Sequence, residues 1–380
     1  MKRLLVAVLI PMLVVGCRKN DVTKNHVGQH NLDIVGEWLL DTIDGARIFD
    51  RYNFAFHSDG TCDNKNGFYM RIDPGTSDRC GTCSVYMGTK ATYQIENDSL
   101  RITDQNGNPW LNFKIDKIGP AEMVLIKSSS SERPNLARYH FKSVPQPVGE
   151  NVPYDAVIVT RGACFGTCPI NGTYIDKQGE FYFNGIDYNS QNNFLTSKGN
   201  TSTFKAFEKQ FNKAEITKLK DGYFYGATCG ETNYVTFIKD GKIYKTVSDY
   251  MGASPALFQQ TYERLSYQYQ RLNLDYVYNP KFDHRIGLGA FEGKKERYCM
   301  SDSEEFYLRV LLEKSKTSNA AFEAKYKLGT FNWEEVTDSV KQIDTDGRYF
   351  RIVMHNGKSQ QYDIGFNFIE RNKSQLKPLQ

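Results

Sequence analysis

The sequence predicts a multidomain chain, an all-β antiparallel domain followed by α+β domain(s), and three observations carry that reading. Its 380 residues suffice for two or three domains that each bury a core. From Ile34 to Val144 short alternating apolar runs recur between polar turns, with no helical period. Beyond Pro153, strand-like runs alternate with stretches whose apolar residues recur every three or four positions.

Residues 1–16 place Lys2 and Arg3 before an apolar run from Leu4 to Val15. That is the layout of a secretory signal peptide, and the run is too short to span a bilayer. The ending Leu13-Val14-Val15-Gly16-Cys17 resembles a bacterial lipobox. The resemblance implies that Cys17 is acylated and becomes the mature N-terminus, so that lipid holds the chain on a membrane. No Asp follows Cys17, which among Gram-negative lipoproteins favours the outer membrane and leaves the leaflet open. Residues 17–32 are polar and aperiodic, a flexible tether.

Residues 33–144 are strand and turn. Gly36 to Leu40 opens them, Tyr52 to Phe56 alternates before Ser58-Asp59-Gly60-Thr61, and Ala91 to Ile95 meets Leu100 to Thr103 across Glu96-Asn97-Asp98-Ser99. Trp110 to Ile115 and Glu122 to Ile126 follow. This spacing argues an antiparallel meander, a barrel or sandwich. The G-x-W opening, F-x-x-D-G-T turn, N-D-S-L hairpin and late E-M-V-L strand together resemble the lipocalin-like domains of bacterial envelope lipoproteins. The resemblance implies an up-and-down barrel able to hold a small apolar ligand. Barrels of about eight strands also fill with their own side chains, and Trp38 is then a core plug.

Residues 145–153 hold three prolines and no periodicity, which marks a linker. In residues 154–279, Ala156 to Thr160 reads as a buried strand, and a hairpin follows across Lys177-Gln178. Phe204, Phe207, Phe211 and Ala214 give a helix over Thr203 to Lys218 one apolar face. Asp240-Gly241 joins a second hairpin, and Ser254-Pro255 starts a helix with Ser as its N-cap. Residues 280–380 repeat the plan loosely. Asp302 or Ser303 caps a helix through Leu312, continued over Ala320 to Lys327, and Tyr349 to Met354 pairs with Gln360 to Ile364. A degenerate repeat is the expectation.

Eight cysteines occur, and with Cys17 acylated an odd seven remain in an oxidising compartment. The disulfide candidates are Cys164, Cys168, Cys62, Cys80 and Cys83. Cys80-Gly81-Thr82-Cys83 reads as a loop tie, with Cys62 as a further partner, because no helix follows it. Three readings compete for Cys164 and Cys168: a turn-clamping disulfide, a redox pair, and a metal site with Cys229. The pattern R-G-x-C-F-G-T-C-P, followed by K-T-V-x-D-Y over Lys245 to Tyr250, resembles an uncharacterised domain family of bacterial envelope proteins. That resemblance spans Asp155 to Leu272 and supplies a fold but no activity. Cys229 stands where that family more often has an acid.

A formal charge of +4, lowered by two when Lys2 and Arg3 leave, offers nucleic acid no basic footprint. No G-x-S-x-G, H-E-x-x-H or phosphate-cradling loop occurs, and the six histidines are dispersed. Glu304-Glu305 and Glu334-Glu335 read as solvated helical faces. The chain therefore reads as a membrane-anchored envelope lipoprotein, a non-catalytic binding or structural module without a cofactor. Its partners are the membrane and a small apolar ligand or envelope protein, with no nucleic acid. The alternative is a thiol-redox or thiol-metal protein using Cys164 and Cys168.

Overall fold

Residues 34–46, 52–72, 83–128, 136–144, 151–332 and 340–379 are described by a computed structural model. The signal stretch, Cys17 and its tether, Cys80, Glu334-Glu335 and all but the end of the proline-rich linker lie outside the described residues.

The first eight strands are β1 (Gly36–Ile43), β2 (Asn53–Phe56), β3 (Thr61–Ile72), β4 (Cys83–Glu96), β5 (Ser99–Asp104), β6 (Pro109–Ile118), β7 (Glu122–Ser128) and β8 (Leu136–Ser143). Each pairs antiparallel with the next, and β8 returns to β1 to close a barrel. Strand β6 shows why: Leu111, Phe113 and Ile115 are buried, while Asn112 and Lys114 between them face water. The interior is packed with rings. Phe54 lies 5.5 Å from Phe56 and 5.9 Å from Phe141, and Phe113 lies 5.6 Å from Tyr139. Trp38 is buried and donates its Nε1–H to the Ile34 carbonyl at 2.8 Å, the plug arrangement.

A second sheet follows, built from β9 (Ala156–Arg161), β10 (Ile170–Asp176), β11 (Phe181–Asp187), β12 (Phe194–Ser197), helix α1 (Thr201–Lys213), β13 (Gly222–Phe224), β14 (Thr232–Lys239), β15 (Lys242–Tyr250), helix α2 (Ala256–Ser266) and β16 (Asp275–Tyr276). Its strand order is β13-β15-β14-β9-β10-β11-β12-β16, with β13 and β15 parallel. Phe204, Phe207 and Phe211 are buried as their spacing requires. Helix α1 ends at Lys213, short of the expected Lys218, because Glu215 turns left-handed at φ 52°. Ser254 does not cap α2. Its N–H and hydroxyl go to the Asp249 carboxylate instead, and Pro255 holds the cap position without a side-chain bond.

The third sheet comprises β17 (Ile286–Gly293), β18 (Arg297–Cys299), helix α3 (Asp302–Lys314), β19 (Lys316–Thr317), β20 (Tyr326–Asn332), β21 (Val340–Thr345), β22 (Tyr349–Met354), β23 (Ser359–Asp363), helix α4 (Phe368–Asn372) and β24 (Lys377–Leu379). Its order is β19-β23-β22-β21-β20-β17-β18-β24. Ser301, not Asp302 or Ser303, caps α3 through a reciprocal capping box with Glu304. The expected continuation over Ala320 to Lys327 does not form. Ser315 turns extended after α3, and β20 begins at Tyr326.

Strand β9 is apolar from Ala156 to Val159 because both its faces are covered. Val157 and Val159 pack in the core that α1 and α2 supply, with Phe211, Phe258 and Tyr262. Ile158 faces the opposite way, into a core shared with Phe306 and Leu308 of α3 and Phe350 of the third sheet. The barrel meets the first of these helical layers through Tyr69, whose ring lies 5.0 Å from that of Tyr267.

Candidate functional site

Strand β9 ends in the sequence-predicted cysteine loop, and its last residue anchors that loop. Arg161 donates from Nη2 to both carboxylate oxygens of Glu231 at 2.9 Å, and its guanidinium stacks 5.4 Å over the Tyr267 ring. Burial alone would lower the Arg161 pKa; Glu231 beside it raises it instead and holds the group charged. Gly162 follows because only glycine fits: its N–H donates to Thr232 O at 3.0 Å, and a Cβ would stand 2.8 Å from that oxygen.

Cys164 and Cys168 are joined by a disulfide, their Cα atoms 5.7 Å apart. The Phe165 N–H inside this small ring donates to Cys229 O at 3.1 Å, which ties the loop to the turn before β14. Phe165 itself is 89% exposed. At the same end of the sheet Phe224 is 75% exposed and stacks on Tyr250 at 5.0 Å. The loop's backbone is thus pinned while its Phe165 side chain is presented to the surroundings.

The K-T-V-x-D-Y stretch has a structural job in this arrangement. Asp249 is fully buried and accepts from Ser254 N–H at 3.1 Å, from the Ser254 hydroxyl, and from Tyr262 Oη at 2.7 Å. One carboxylate so fastens β15 to α2. Desolvation, with Asp249 alongside, drives the Tyr262 phenol well above its usual pKa.

Of the remaining disulfide candidates, Cys62 is a correction. It is a free thiol, fully buried, because β3 pairs it with Phe56 and points it into the packed barrel. Burial pushes its thiol up to about 12. Cys83 opens β4, and Cys80 lies outside the described residues. Cys229 is free and exposed, and Cys299 is free and half-buried. Among the described residues no group of three or more His, Cys, Asp or Glu is placed to hold a metal ion. Alkylation of the native protein should therefore modify Cys229 and spare Cys62 until denaturant is added. Peptide mass mapping reads this directly, and a modified Cys62 in the native state would contradict its enclosure.

Residues 155–269 match the domain of unknown function DUF6438. The Arg161–Glu231 pair, the cysteine-closed loop and the Asp249 clamp all fall inside the matched span, which lies within Asp155 to Leu272. No curated protein matches the chain.

A concavity of about 40 Å3 lies between the second sheet and α3, with Thr160, Asn184, Asp302, Glu305 and Arg309 in its lining. It overturns the reading of Glu304-Glu305 as a solvated face. Glu304 is 5% exposed and accepts from Thr246 Oγ1 at 2.7 Å and Ser301 N–H at 2.8 Å. Glu305 accepts from Leu288 N–H at 3.1 Å, and burial pushes its carboxyl up to about 7. The S-x-x-E spacing of Ser301 and Glu304 is a capping-box signal that could have placed this turn from sequence. Nothing in sequence could have set β9 and β11 opposite it.

Proposed function

We propose that the protein is a lipid-anchored envelope lipoprotein that binds another envelope protein through its disulfide-closed loop. The anchor rests on the lipobox-like ending at Cys17. One observation carries the binding reading: Phe165, 89% exposed, stands on a loop pinned by a disulfide, by the Phe165 N–H bond to Cys229 O and by the adjacent Arg161–Glu231 pair. A loop whose backbone is already fixed by a disulfide and a hydrogen bond loses little backbone entropy on docking, and exposed aromatic residues in such positions dominate interface energies. The ring-packed barrel interior supports a protein partner over a small apolar ligand.

The thiol-exchange alternative retains one observation in its favour. Cys229 is a free, exposed thiol on the turn that accepts the Phe165 N–H. A Cys229 link to Cys164 or Cys168 in the protein isolated from cells would favour exchange over docking.

The test is a photo-crosslinking residue at position 165 in intact cells. A discrete higher-mass adduct is expected in the membrane fraction, absent when the probe replaces the 64%-exposed Leu136 of the barrel. Cys17→Ala should move the protein out of that fraction. No adduct at 165, or equal adducts at both positions, would end the docking reading; unchanged membrane partitioning of Cys17→Ala would end the anchor.

A further inference from the structure

Strand β13 is an edge of the second sheet, with β15 as its one strand neighbour among the described residues. The pairing is parallel and sets Gly222 beside Ser248, Tyr223 beside Asp249 and Phe224 beside Tyr250. The Ser248 N–H donates to Asp221 O at 2.9 Å, which fixes the phase of the ladder. Alternate residues of a strand bond to the same neighbour, so the N–H and C=O of Tyr223 face β15. Those of Gly222 and Phe224 face outward. Tyr225 O accepts from Ala227 N–H at 2.8 Å, which turns the chain and ends the edge.

Sheet edges are ordinarily blunted by shortness, proline, bulges or charge. Strand β13 is short, but it has no proline and no bulge, and Asp221 before it lies 3.7 Å from the Lys245 ammonium. Nothing folds over it: the Asp221 side chain is 89% exposed, and Phe224 is 75% exposed. Gly222 and Phe224 stand two apart and so share one face of the sheet. Gly222 leaves that face bare, where a Cβ would come 2.8 Å from Ser248 Oγ.

We infer that β13 is a self-association edge, at which two copies of the chain pair β13 with β13 antiparallel about a twofold axis at Tyr223. Gly222 then opposes Phe224 of the second copy, and Phe224 opposes Gly222. Each of these two pairs exchanges both N–H···O bonds, which satisfies every outward group of both strands. The interface is isologous, as a closed dimer requires. Each Phe224 ring crosses the bare glycine opposite, the arrangement by which an aromatic shields a strand glycine. Asp221 meets Tyr225 and Lys220 meets Gly226, so no like charges oppose. Sliding the copies by two residues pairs Gly222 with itself and leaves the Phe224 groups bare, so the register is specified. The inference rests neither on the Phe165 loop nor on the lipid anchor.

The test is register-specific crosslinking of the purified full chain. Asp221→Cys and Tyr225→Cys are made separately, each with Cys229→Ser to remove the exposed free thiol. The pairing sets positions 221 and 225 of different copies about 4.5 Å apart at Cα, within disulfide reach. Like positions lie about 13 Å apart along the strands. Oxidation with copper phenanthroline should therefore give a disulfide-linked dimer from the mixture and none from either variant alone. Phe224→Pro removes one outward N–H per copy and keeps the Tyr223 bonds to β15, a placement edge strands tolerate. Added to both variants, it should cut the dimer yield about tenfold, and Phe224→Ala, which keeps the N–H, should cut it less. The melting temperature of the proline variants certifies their fold. No dimer from the mixture, equal dimer from a single variant, or a yield indifferent to Phe224→Pro overturns the inference.

Discussion

Glu231→Ala is expected to lower the unfolding free energy by about 3–5 kcal/mol, the cost of breaking a buried ion pair by removing one member. The Arg161 side chain is 11% exposed and Glu231 19%, so both charges are largely withdrawn from water. Without Glu231, the Arg161 guanidinium would keep its stacking over Tyr267 and the nearby charge of Glu263, and its Nε already has no partner. The loss is large against the 5–15 kcal/mol that typically separates folded from unfolded chains. Replacing both partners, Arg161→Met with Glu231→Leu, should cost far less than Glu231→Ala alone, because no charge is then stranded. Arg161→Lys should fall between, since an ammonium keeps the charge but loses the planar stacking over Tyr267. Urea denaturation of the four proteins reads the series. A double variant as unstable as Glu231→Ala would show that shape, not charge, holds the loop to β14.

The barrel was legible because its physics is local. A period of two between polar turns specifies an antiparallel meander with one wet face, and β5 and β6 follow it residue by residue. The apolar face of α1 was legible for the same reason. What escaped the sequence was set by distant partners. Ser254 reads as an N-cap until Asp249 competes for its hydroxyl, and that competition exists only once β15 and α2 meet. Cys62 reads as a further partner of the Cys80–Cys83 loop tie, but its register beside Phe56 turns it into the barrel. Among the site residues, R-G-x-C-F-G-T-C-P announced a constrained turn. The exposure of Phe165, on which the docking proposal rests, depends on which way the closed ring faces. Thr160, Asn184 and Asp302 lie far apart in sequence with no motif between them, so only the stacking of α3 on the second sheet joins them.

Truncation after Asn279 is expected to yield an aggregating protein, although sequence reading sets a domain boundary there. The hydrophobic run Ala156 to Val159 requires cover on both faces, and the chain up to residue 279 supplies only one. The other face is covered by α3 and the third sheet. Ile158, Tyr174, Tyr182, Phe194, Ile238 and Ile243 are each at most 8% exposed in the core they share with Phe306, Leu308 and Phe350. Exposing six such side chains at about 1.5–3 kcal/mol apiece forfeits on the order of 10 kcal/mol, comparable to a whole domain's stability. The bared surface would also be one contiguous apolar patch of the kind that drives association. A milder version keeps the chain intact: Phe306→Ala removes the ring that seats on Gly172 and should cost about 3–5 kcal/mol. Size-exclusion chromatography of the truncated chain and urea denaturation of the point variant report the two outcomes. A soluble monomer ending at Asn279, melting as the full chain does, would mean that the second sheet needs no cover from α3.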